Sequence, residues 1–178
     1  MTDALVFLVD SLLTLYLYVL ILRFVMQLVR ADFRNPLAHA VLTVTNPIIM
    51  PLRRILPPLG KVDTASVLAI IVIAAANIVI VALIANAGVL DPLLILRATL
   101  LTLLRAFIMF FTGAIFIYAL LSWVTPPGYN PAMALLGSIC EPVLRPFRKL
   151  IPPIGNLDLS ALWALLALGV LLRLFHFA

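Results

Sequence analysis

Two pairs of adjacent basic residues are the strongest candidates for chemistry in this sequence. Arg53 and Arg54 form the first pair, and Arg148 and Lys149 form the second, 95 residues later. Each pair lies in a segment with closely spaced prolines, which restrain the backbone that carries the charges. Because Arg binds phosphate and carboxylate groups in a fixed two-bonded geometry, these pairs predict a docking surface for anionic lipid headgroups or partner proteins. The simpler alternative is that they only set membrane topology. The full candidate set is Arg53, Arg54, Lys61, Arg145, Arg148 and Lys149.

Two aspartates follow the basic pairs at equal spacing. Asp63 and Asp158 each stand immediately before an apolar run. A carboxylate in such a run could relay protons. The simpler role is to cap a helix N-terminus, where the first backbone N–H groups have no intrahelical acceptor. We interpret both residues as caps.

The remaining reactive residues do not form a catalytic or metal-binding pattern. His39, His176 and Cys140 are far apart in the sequence, and the spacing of a zinc or haem site is absent. The serines have no histidine nearby in the sequence that could act as a base. The sequence therefore predicts a protein that is not an enzyme and that holds neither a metal nor a cofactor.

The basic pairs belong to a longer segment that occurs twice. Residues 35–63 recur at 130–158 without a gap, so the chain contains two tandem copies of one unit. Each unit has an apolar helix, a proline-rich basic segment and a second apolar helix. The recurring residues are Asn35, Pro36, Pro47, Pro51, Pro57, Pro58, Gly60 and Asp63 in the first copy, and Asn130, Pro131, Pro142, Pro146, Pro152, Pro153, Gly155 and Asp158 in the second.

The composition indicates an integral membrane protein. Of the 178 residues, 65% are hydrophobic and 11% are charged, whereas a soluble domain is roughly half apolar and a quarter charged. The net charge of +5 could indicate nucleic acid, but nine of the twelve Lys and Arg residues lie in 23–61 and 145–149, beside apolar runs. That distribution is typical of topology signals and headgroup contacts, so no nucleic-acid partner is predicted.

The predicted fold is all-α, with four transmembrane helices in two tandem two-span repeats. The apolar runs are long enough for helices that cross roughly 30 Å of hydrocarbon, with the last one short. We expect Arg23, inside the first run, to extend toward the nearer interface. Asn77, in the second run, is expected to form a hydrogen bond to another helix. The predicted spans are 4–29, 64–86, 106–123 and 159–172.

The proline-rich segments are predicted to lie between the spans as short helices. Asn-Pro, Asp-Pro and Glu-Pro pairs each suggest a helix start, because Asn and Asp cap helices well and Pro fits the first helical position. The prolines are too dense for a regular helix in 47–59, so this segment is expected to be interfacial or re-entrant; the sequence leaves both possibilities open. The predicted starts are at Asn35, Asn46, Asp91, Asn130 and Glu141.

The run from 91 to 123 is too long for one span. We divide it into an interfacial amphipathic helix, 91–105, and a third span that begins at 106. The chain is then a single membrane domain, 1–178, with repeat one at 4–86 and repeat two at 106–178. Because charges at the membrane edge usually pair, we predict an ion pair between Asp10 and either Arg97 or Arg105.

The distribution of charge also predicts the topology. The two basic segments follow the first and third spans and so lie on the same side of the membrane, which the positive-inside rule makes cytoplasmic. Both termini are then outside. Arg97, Arg105 and Arg173 fit this arrangement poorly, since they would be basic residues on the outer side.

The repeated segment resembles the YggT family of small bacterial integral membrane proteins, which has plastid relatives. Three motifs match, each present twice. They are Asn-Pro at 35–36 and 130–131, the basic segment with regularly spaced prolines at 47–54 and 142–149, and the closing motif Pro-x-x-Gly-x-Val/Leu-Asp at 57–63 and 152–158. The resemblance covers nearly the whole chain and implies a multi-pass protein of the bacterial inner membrane. Members have been linked to osmotic stress and potassium balance, to division-site organisation, and in plastids to haem attachment. The resemblance assigns no catalytic residue.

Two functions are compatible with these observations. The first is a non-enzymatic membrane scaffold or assembly and stress-related factor, whose doubled basic segments dock on anionic lipid or on membrane-protein partners, with a homo-oligomer also possible. The second is an oligomeric ion or solute conduit, or a regulator of potassium homeostasis in osmotic stress. The near-absence of ionisable residues in the spans argues against a conduit.

Overall fold

The computed structural model describes residues 2–60, 62–86, 88, 91–124, 130–150 and 160–175. Within these ranges the chain is all-α and contains no strand; its only strand-like feature is an isolated bridge between Leu59 and Val62. The helices are α1 (Thr2–Leu28), α2 (Pro36–Ile55), α3 (Thr64–Ile84), α4 (Pro92–Val124), α5 (Pro131–Leu150) and α6 (Ser160–Leu174).

Three of the six helices are apolar and long enough to cross a membrane. They are α1, α3 and α4, with 27, 21 and 33 residues. At 1.5 Å per residue, even α3 extends about 31 Å, close to the hydrocarbon thickness of a bilayer. Helix α6 is apolar but has only 15 residues, or about 22 Å. The described residues therefore contain three helices of spanning length and one shorter apolar helix.

The two units pack their helices in the same way. In unit one, the copy that contains α1 to α3, helix α1 packs mainly against α3, and α2 contacts both. In unit two, which contains α4 to α6, helix α4 packs against α6, and α5 contacts both. Helix α4 also packs against α1 and α3, and Phe24 meets Phe107 edge to face with ring centroids 6.2 Å apart. The duplication predicted from the sequence is thus repeated in the packing.

The proline-rich segments form long helices, which corrects the prediction of short ones. Helix α2 continues through Pro47 and Pro51, and α5 continues through Pro142 and Pro146. In each helix the two prolines are one turn apart and exposed, so both missing N–H groups lie on one outer side. No helix begins at Asn46 or Glu141, contrary to expectation, whereas helices do begin after Asn35, Asp91 and Asn130 as predicted.

Helix α4 is continuous across the predicted boundary between residues 105 and 106, and the division into an interfacial part and a span stays a prediction. The helix runs from Pro92 to Val124 without a break near Arg105, where we expected an interfacial helix to end and a span to begin. Because the run 92–124 contains no proline after its first residue, every backbone N–H beyond the first turn can donate to the preceding turn. The length of the apolar run suggested two segments, whereas the backbone forms one helix.

Helix α2 ends where the sequence requires it to end. Leu56 is extended (φ −118°, ψ 97°), the conformation favoured before a proline such as Pro57. Gly60 then adopts φ +62°, which glycine tolerates without strain, and the chain turns into α3. Several predicted residues lie outside the described residues: Lys61, Pro152, Pro153, Gly155, Asp158 and His176.

Candidate functional site

The N-terminal ends of α2 and α5 are in direct contact. The Asn35 side chain caps α2 by accepting from the Leu37 N–H at 2.9 Å, and its Nδ2 donates to the Pro131 carbonyl of α5 at 2.7 Å. Asn130 caps α5 by accepting from the Ala132 N–H at 2.9 Å. Both predicted caps are confirmed, and one of them also joins the two units.

The basic residues lie at the opposite ends of these helices. Arg54 is 18 residues after Pro36, and Lys149 is 18 residues after Pro131, which places each about 27 Å along its own helix from the contact. Arg145 is one turn before Lys149. All three side chains are exposed and form no hydrogen bond or ion pair with another described residue. We call Arg54 the basic end of α2, and Arg145 with Lys149 the basic end of α5.

Arg53 lies beside Arg54 but faces the protein. Its guanidinium Nη2 donates to Asp63 Oδ2 at 2.6 Å and to Gln27 Oε1 at 3.0 Å, and its Nε donates to the same carboxylate at 3.2 Å. Ser66 completes the group, because its hydroxyl donates to Asp63 Oδ2 at 2.6 Å. Arg53 therefore links α2 to α1 and α3.

Asp63 precedes α3, but its side chain does not cap that helix. The carboxylate accepts no hydrogen bond from the α3 backbone, and it binds Arg53 and Ser66 instead. The capping interpretation of Asp63 is therefore wrong. Burial alone would raise the pKa of Asp63, but the hydrogen bonds from Arg53 and Ser66 and the charges of Arg53 and Arg23 outweigh it and lower the pKa below its usual value.

Arg23 is buried at the contact between α1 and α2, which corrects the expectation that it extends to the interface. Only 2% of Arg23 is exposed. Its Nη1 donates to Thr45 Oγ1 at 2.6 Å and to Asn46 Oδ1 at 2.8 Å. The Thr45 hydroxyl in turn donates to the Val41 carbonyl at 2.6 Å. Sequence reasoning missed this contact, although an Arg within an apolar run is itself a signal of a buried partner.

Unit two has different residues at the equivalent positions. Tyr118 replaces Arg23, and its ring lies over Gly137, where an added Cβ would be 3.5 Å from Tyr118 Cε2. Cys140, in place of Thr45, is fully buried, and this burial raises the pKa of its thiol to about 12. Glu141, in place of Asn46, accepts from Arg148 Nη1 at 2.5 Å on the surface of α5.

Two of the three residues of the predicted ion pair, Asp10 and Arg105, have other partners. Asp10 Oδ1 accepts from Asn77 Nδ2 at 2.9 Å, so the predicted contact between helices at Asn77 is confirmed. Arg105 donates to the Phe175 carbonyl at the end of α6, at 2.6 Å from Nη2. Arg97 is exposed near the start of α4. The ion pairs within the described part of the chain, Arg53–Asp63 and Arg148–Glu141, involve none of them, so the predicted pair is not formed.

No metal site is evident in the described ranges. They contain no group of three His, Cys, Asp or Glu side chains that could hold an ion together. His39 is exposed on α2, and Cys140 is buried in α5. Several polar contacts of the described residues join helices, whereas the cations of the basic ends remain exposed.

A family model described as CCB3/YggT matches two segments of the chain, residues 2–84 and 97–177. The chain belongs to the CCB3/YggT family. The two matched segments coincide with unit one and unit two, so each unit is one copy of the family's repeat. This confirms the resemblance read from the proline-rich motifs.

Two relatives show how much of the chain this similarity covers. An uncharacterized protein of Pseudomonas aeruginosa is 41% identical over 172 residues, which cover 96% of this chain and 87% of that protein. The uncharacterized protein YggT of Escherichia coli K12 is 36% identical over 169 residues, which cover 95% and 87%. No solved structure matches the chain. Family membership and the three apolar helices together indicate a membrane protein.

Proposed function

We propose that this protein is a non-enzymatic membrane scaffold whose helices α2 and α5 lie at the cytoplasmic face and dock on anionic lipid headgroups through their basic ends. In this proposal α6 crosses the membrane as a fourth span, and both termini are outside. Partner proteins or further copies of the chain would assemble on the docked helices.

The observation that supports this proposal most is the position along α1 at which Arg23 binds α2. Arg23 lies five residues before the end of α1, about 7.5 Å inside that end, and it donates to Thr45 and Asn46 in the middle of α2. In this proposal α2 is thereby held beside the end of a spanning helix, at the level of the headgroups. Its exposed side carries Val44, Met50 and Ile55 together with Arg54, a mixture suited to the boundary between acyl chains and headgroups.

The contact between α2 and α5 adds rigidity to the arrangement. Because Asn35 binds the Pro131 carbonyl, the two helices are fixed relative to each other at their N-terminal ends. The basic ends would then hold headgroups at two defined points, and not as one continuous patch. Arg53 and Arg148 contribute indirectly, since each is engaged by a carboxylate within the protein.

Phospholipid retention tests this function. The triple variant Arg54→Gln, Arg145→Gln, Lys149→Gln removes the basic ends, and Arg30→Gln, Arg34→Gln, Arg97→Gln removes three exposed charges elsewhere. The purified proteins are delipidated in mild detergent, supplied with phosphatidylglycerol and phosphatidylcholine, and examined by native mass spectrometry. Because each basic residue near an anionic surface contributes about 1 kcal/mol, we expect the first variant to retain phosphatidylglycerol several-fold less than the control. Equal losses of phosphatidylglycerol in both variants would mean that the basic ends act only as general positive charge.

The proposed topology has a separate test. In a Cys140→Ala background, a cysteine at exposed Phe33 should resist an impermeant thiol reagent in intact cells, and one at Gly88 should react. The opposite labelling pattern would place α2 and α5 on the outer face.

A conduit has weaker support than a scaffold. Asp10, Arg23 and Arg105 in the long apolar helices are each bound to another helix or to the end of one, and so do not stand free along a pathway. Reconstitution in liposomes with a potassium-flux readout distinguishes the two functions. Flux that rises with protein density would favour the conduit.

A further inference from the structure

The prolines of α2 leave two backbone carbonyls without their usual helical partners. In an α-helix each carbonyl accepts from the N–H four residues later, and proline has no N–H. Pro47 therefore leaves the Thr43 carbonyl unpaired, and Pro51 leaves the Pro47 carbonyl unpaired. Thr43, Pro47 and Pro51 are all exposed. The unpaired acceptors thus follow one another along the outer side of the helix.

Arg54 lies on the same side of α2 as these carbonyls. It follows Pro51 by three residues, so the two side chains are neighbours on the helix surface. A long Arg side chain in a helix points back toward the preceding turn, which brings its charge toward the unpaired acceptors. The outer side of α2 therefore presents oxygen acceptors beside a cation.

Helix α5 repeats this arrangement. Pro142 and Pro146 leave the carbonyls of Ser138 and Pro142 unpaired, and Lys149 follows Pro146 by three residues. The recurrence matters because the buried contacts of the two units differ, whereas this outer feature is the same in both.

A ligand that complements this surface needs a hydrogen-bond donor and an anion a short distance apart. We propose that each helix binds the headgroup of a phosphatidylethanolamine, whose primary ammonium donates to the proline-freed carbonyls while its phosphate meets Arg54 or Lys149. This inference rests on the proposed headgroup docking and adds to the anionic lipids a zwitterionic one, which is recognised by its ammonium as well as by its phosphate. Charged donors form hydrogen bonds roughly twice as strong as neutral ones, which favours an ammonium over a hydroxyl. Phosphatidylcholine has the same phosphate and the same positive charge, but its nitrogen carries no hydrogen.

Comparison of these two lipids tests the inference on the wild-type protein. Delipidated protein is supplied with equal amounts of phosphatidylethanolamine and phosphatidylcholine with identical acyl chains, and bound lipid is measured by native mass spectrometry. We expect about a tenfold preference for phosphatidylethanolamine, the effect of one charge-assisted hydrogen bond. The N-monomethyl and N,N-dimethyl lipids should fall between them. Equal binding of all four lipids would mean that water satisfies the carbonyls, and the inference would be wrong.

Proline variants test which carbonyls are responsible. Pro47→Ala, Pro51→Ala, Pro142→Ala and Pro146→Ala together restore four N–H groups and leave every charge in place. We expect this variant to lose the preference for phosphatidylethanolamine while it retains phosphatidylglycerol as the wild type does. Pro36→Ala with Pro131→Ala is the matched control, because a proline at the first helical position removes no intrahelical hydrogen bond. A preference unchanged in the four-proline variant would overturn the inference.

The same experiment separates this inference from the proposed function. Loss of phosphatidylglycerol retention in the basic-end variant supports headgroup docking whatever the result with phosphatidylethanolamine. Conversely, a wild-type protein that retains neither lipid above phosphatidylcholine contradicts both proposals. Circular dichroism should show unchanged helix content in the alanine variants, since alanine is the better helix former.

Discussion

In unit one Arg23 donates hydrogen bonds from α1 to Thr45 and Asn46 of α2, whereas the equivalent positions of unit two hold Tyr118, Cys140 and Glu141. The cation of unit one is thus replaced by an aromatic ring, and an amide by a carboxylate. The helices nevertheless pack in the same order in both units. The comparison shows that the packing of this fold does not require one particular set of polar contacts.

The two ion pairs differ in the same way. Asp63 is completely buried beside Arg53, whose side chain is 40% exposed, and the pair joins α2 to the start of α3. Glu141 and Arg148 are 52% and 33% exposed and lie on the same helix. A pair that joins two helices and buries its carboxylate is expected to matter for stability, whereas an exposed pair within one helix contributes little.

The largest effect is expected from Asp63→Ala, because it leaves Arg53 and Ser66 without their acceptor. We expect a loss of about 2 kcal/mol in the free energy of unfolding, less than for a fully buried pair because part of Arg53 is exposed. Denaturant unfolding in detergent, followed by circular dichroism, measures it. Asp63→Asn should be nearly as damaging, and full stability in Asp63→Asn would mean that the negative charge of Asp63 is not needed. A double-mutant cycle that combines Asp63→Ala with Arg53→Met measures the interaction energy between Arg53 and Asp63.

The contribution of Asp63 should also depend on pH. Its pKa in the folded protein is lowered below its usual value, so the stabilisation is fully present above the unfolded pKa of about 3.9 and is lost as the pH falls through the folded pKa. The difference in unfolding free energy between wild type and Asp63→Asn should therefore be constant near neutral pH and shrink below about pH 4. A difference that grows on acidification contradicts the lowered pKa.

The substitution Asn46→Glu introduces the unit-two residue into unit one. Arg23 Nη1 is 2.8 Å from Asn46 Oδ1, so a carboxylate there would supply a counter-ion to a buried cation. We expect the variant to be more stable by about 1 kcal/mol, the gain from a charge-assisted bond. Thermal unfolding in detergent measures it, with Asn46→Gln as the neutral control. A destabilised Glu variant beside an unchanged Gln variant would show that Arg23 needs no counter-ion.

In unit two, Glu141→Gln should have a small effect. Both partners of its ion pair are partly exposed, so we expect a loss below about 1 kcal/mol. The same unfolding measurement at low and at high salt tests this, since an exposed pair is screened by salt. A loss as large as that of Asp63→Ala would show that the two pairs are equivalent after all.

The smallest effect is expected at Cys140. The side chain is buried and its pKa is about 12, so the thiol should remain unmodified by maleimide at neutral pH until the protein unfolds. Cys140→Thr introduces the residue that stands at the equivalent position of unit one, and the Thr hydroxyl can donate to the carbonyl one turn earlier, as Thr45 does. We expect a stability change within about 1 kcal/mol. Rapid labelling of the folded protein would contradict the burial.

Local signals in the sequence determined much of the fold. The duplication follows from an ungapped repeat, and the starts of α2, α4 and α5 follow from Asn35, Asp91 and Asn130, because a cap acts on N–H groups two or three residues away. The long apolar runs likewise identified α1 and α3. Apart from the duplication, which is itself visible in the linear sequence, each of these features depends on residues close together in the chain.

The tertiary structure decided what depends on distant residues. Proline density suggested that α2 would be broken, but its prolines fall on the outer side, where the unpaired carbonyls need no partner within the protein. Arg23 was expected at the interface, and its partners Thr45 and Asn46 are 22 and 23 residues away on another helix. Asp63 was expected to cap α3, but a buried carboxylate is stabilised more by the Arg53 guanidinium, which only the folding of α2 brings within reach. The choice among competing partners for a polar side chain is made by packing, and a linear sequence does not display it.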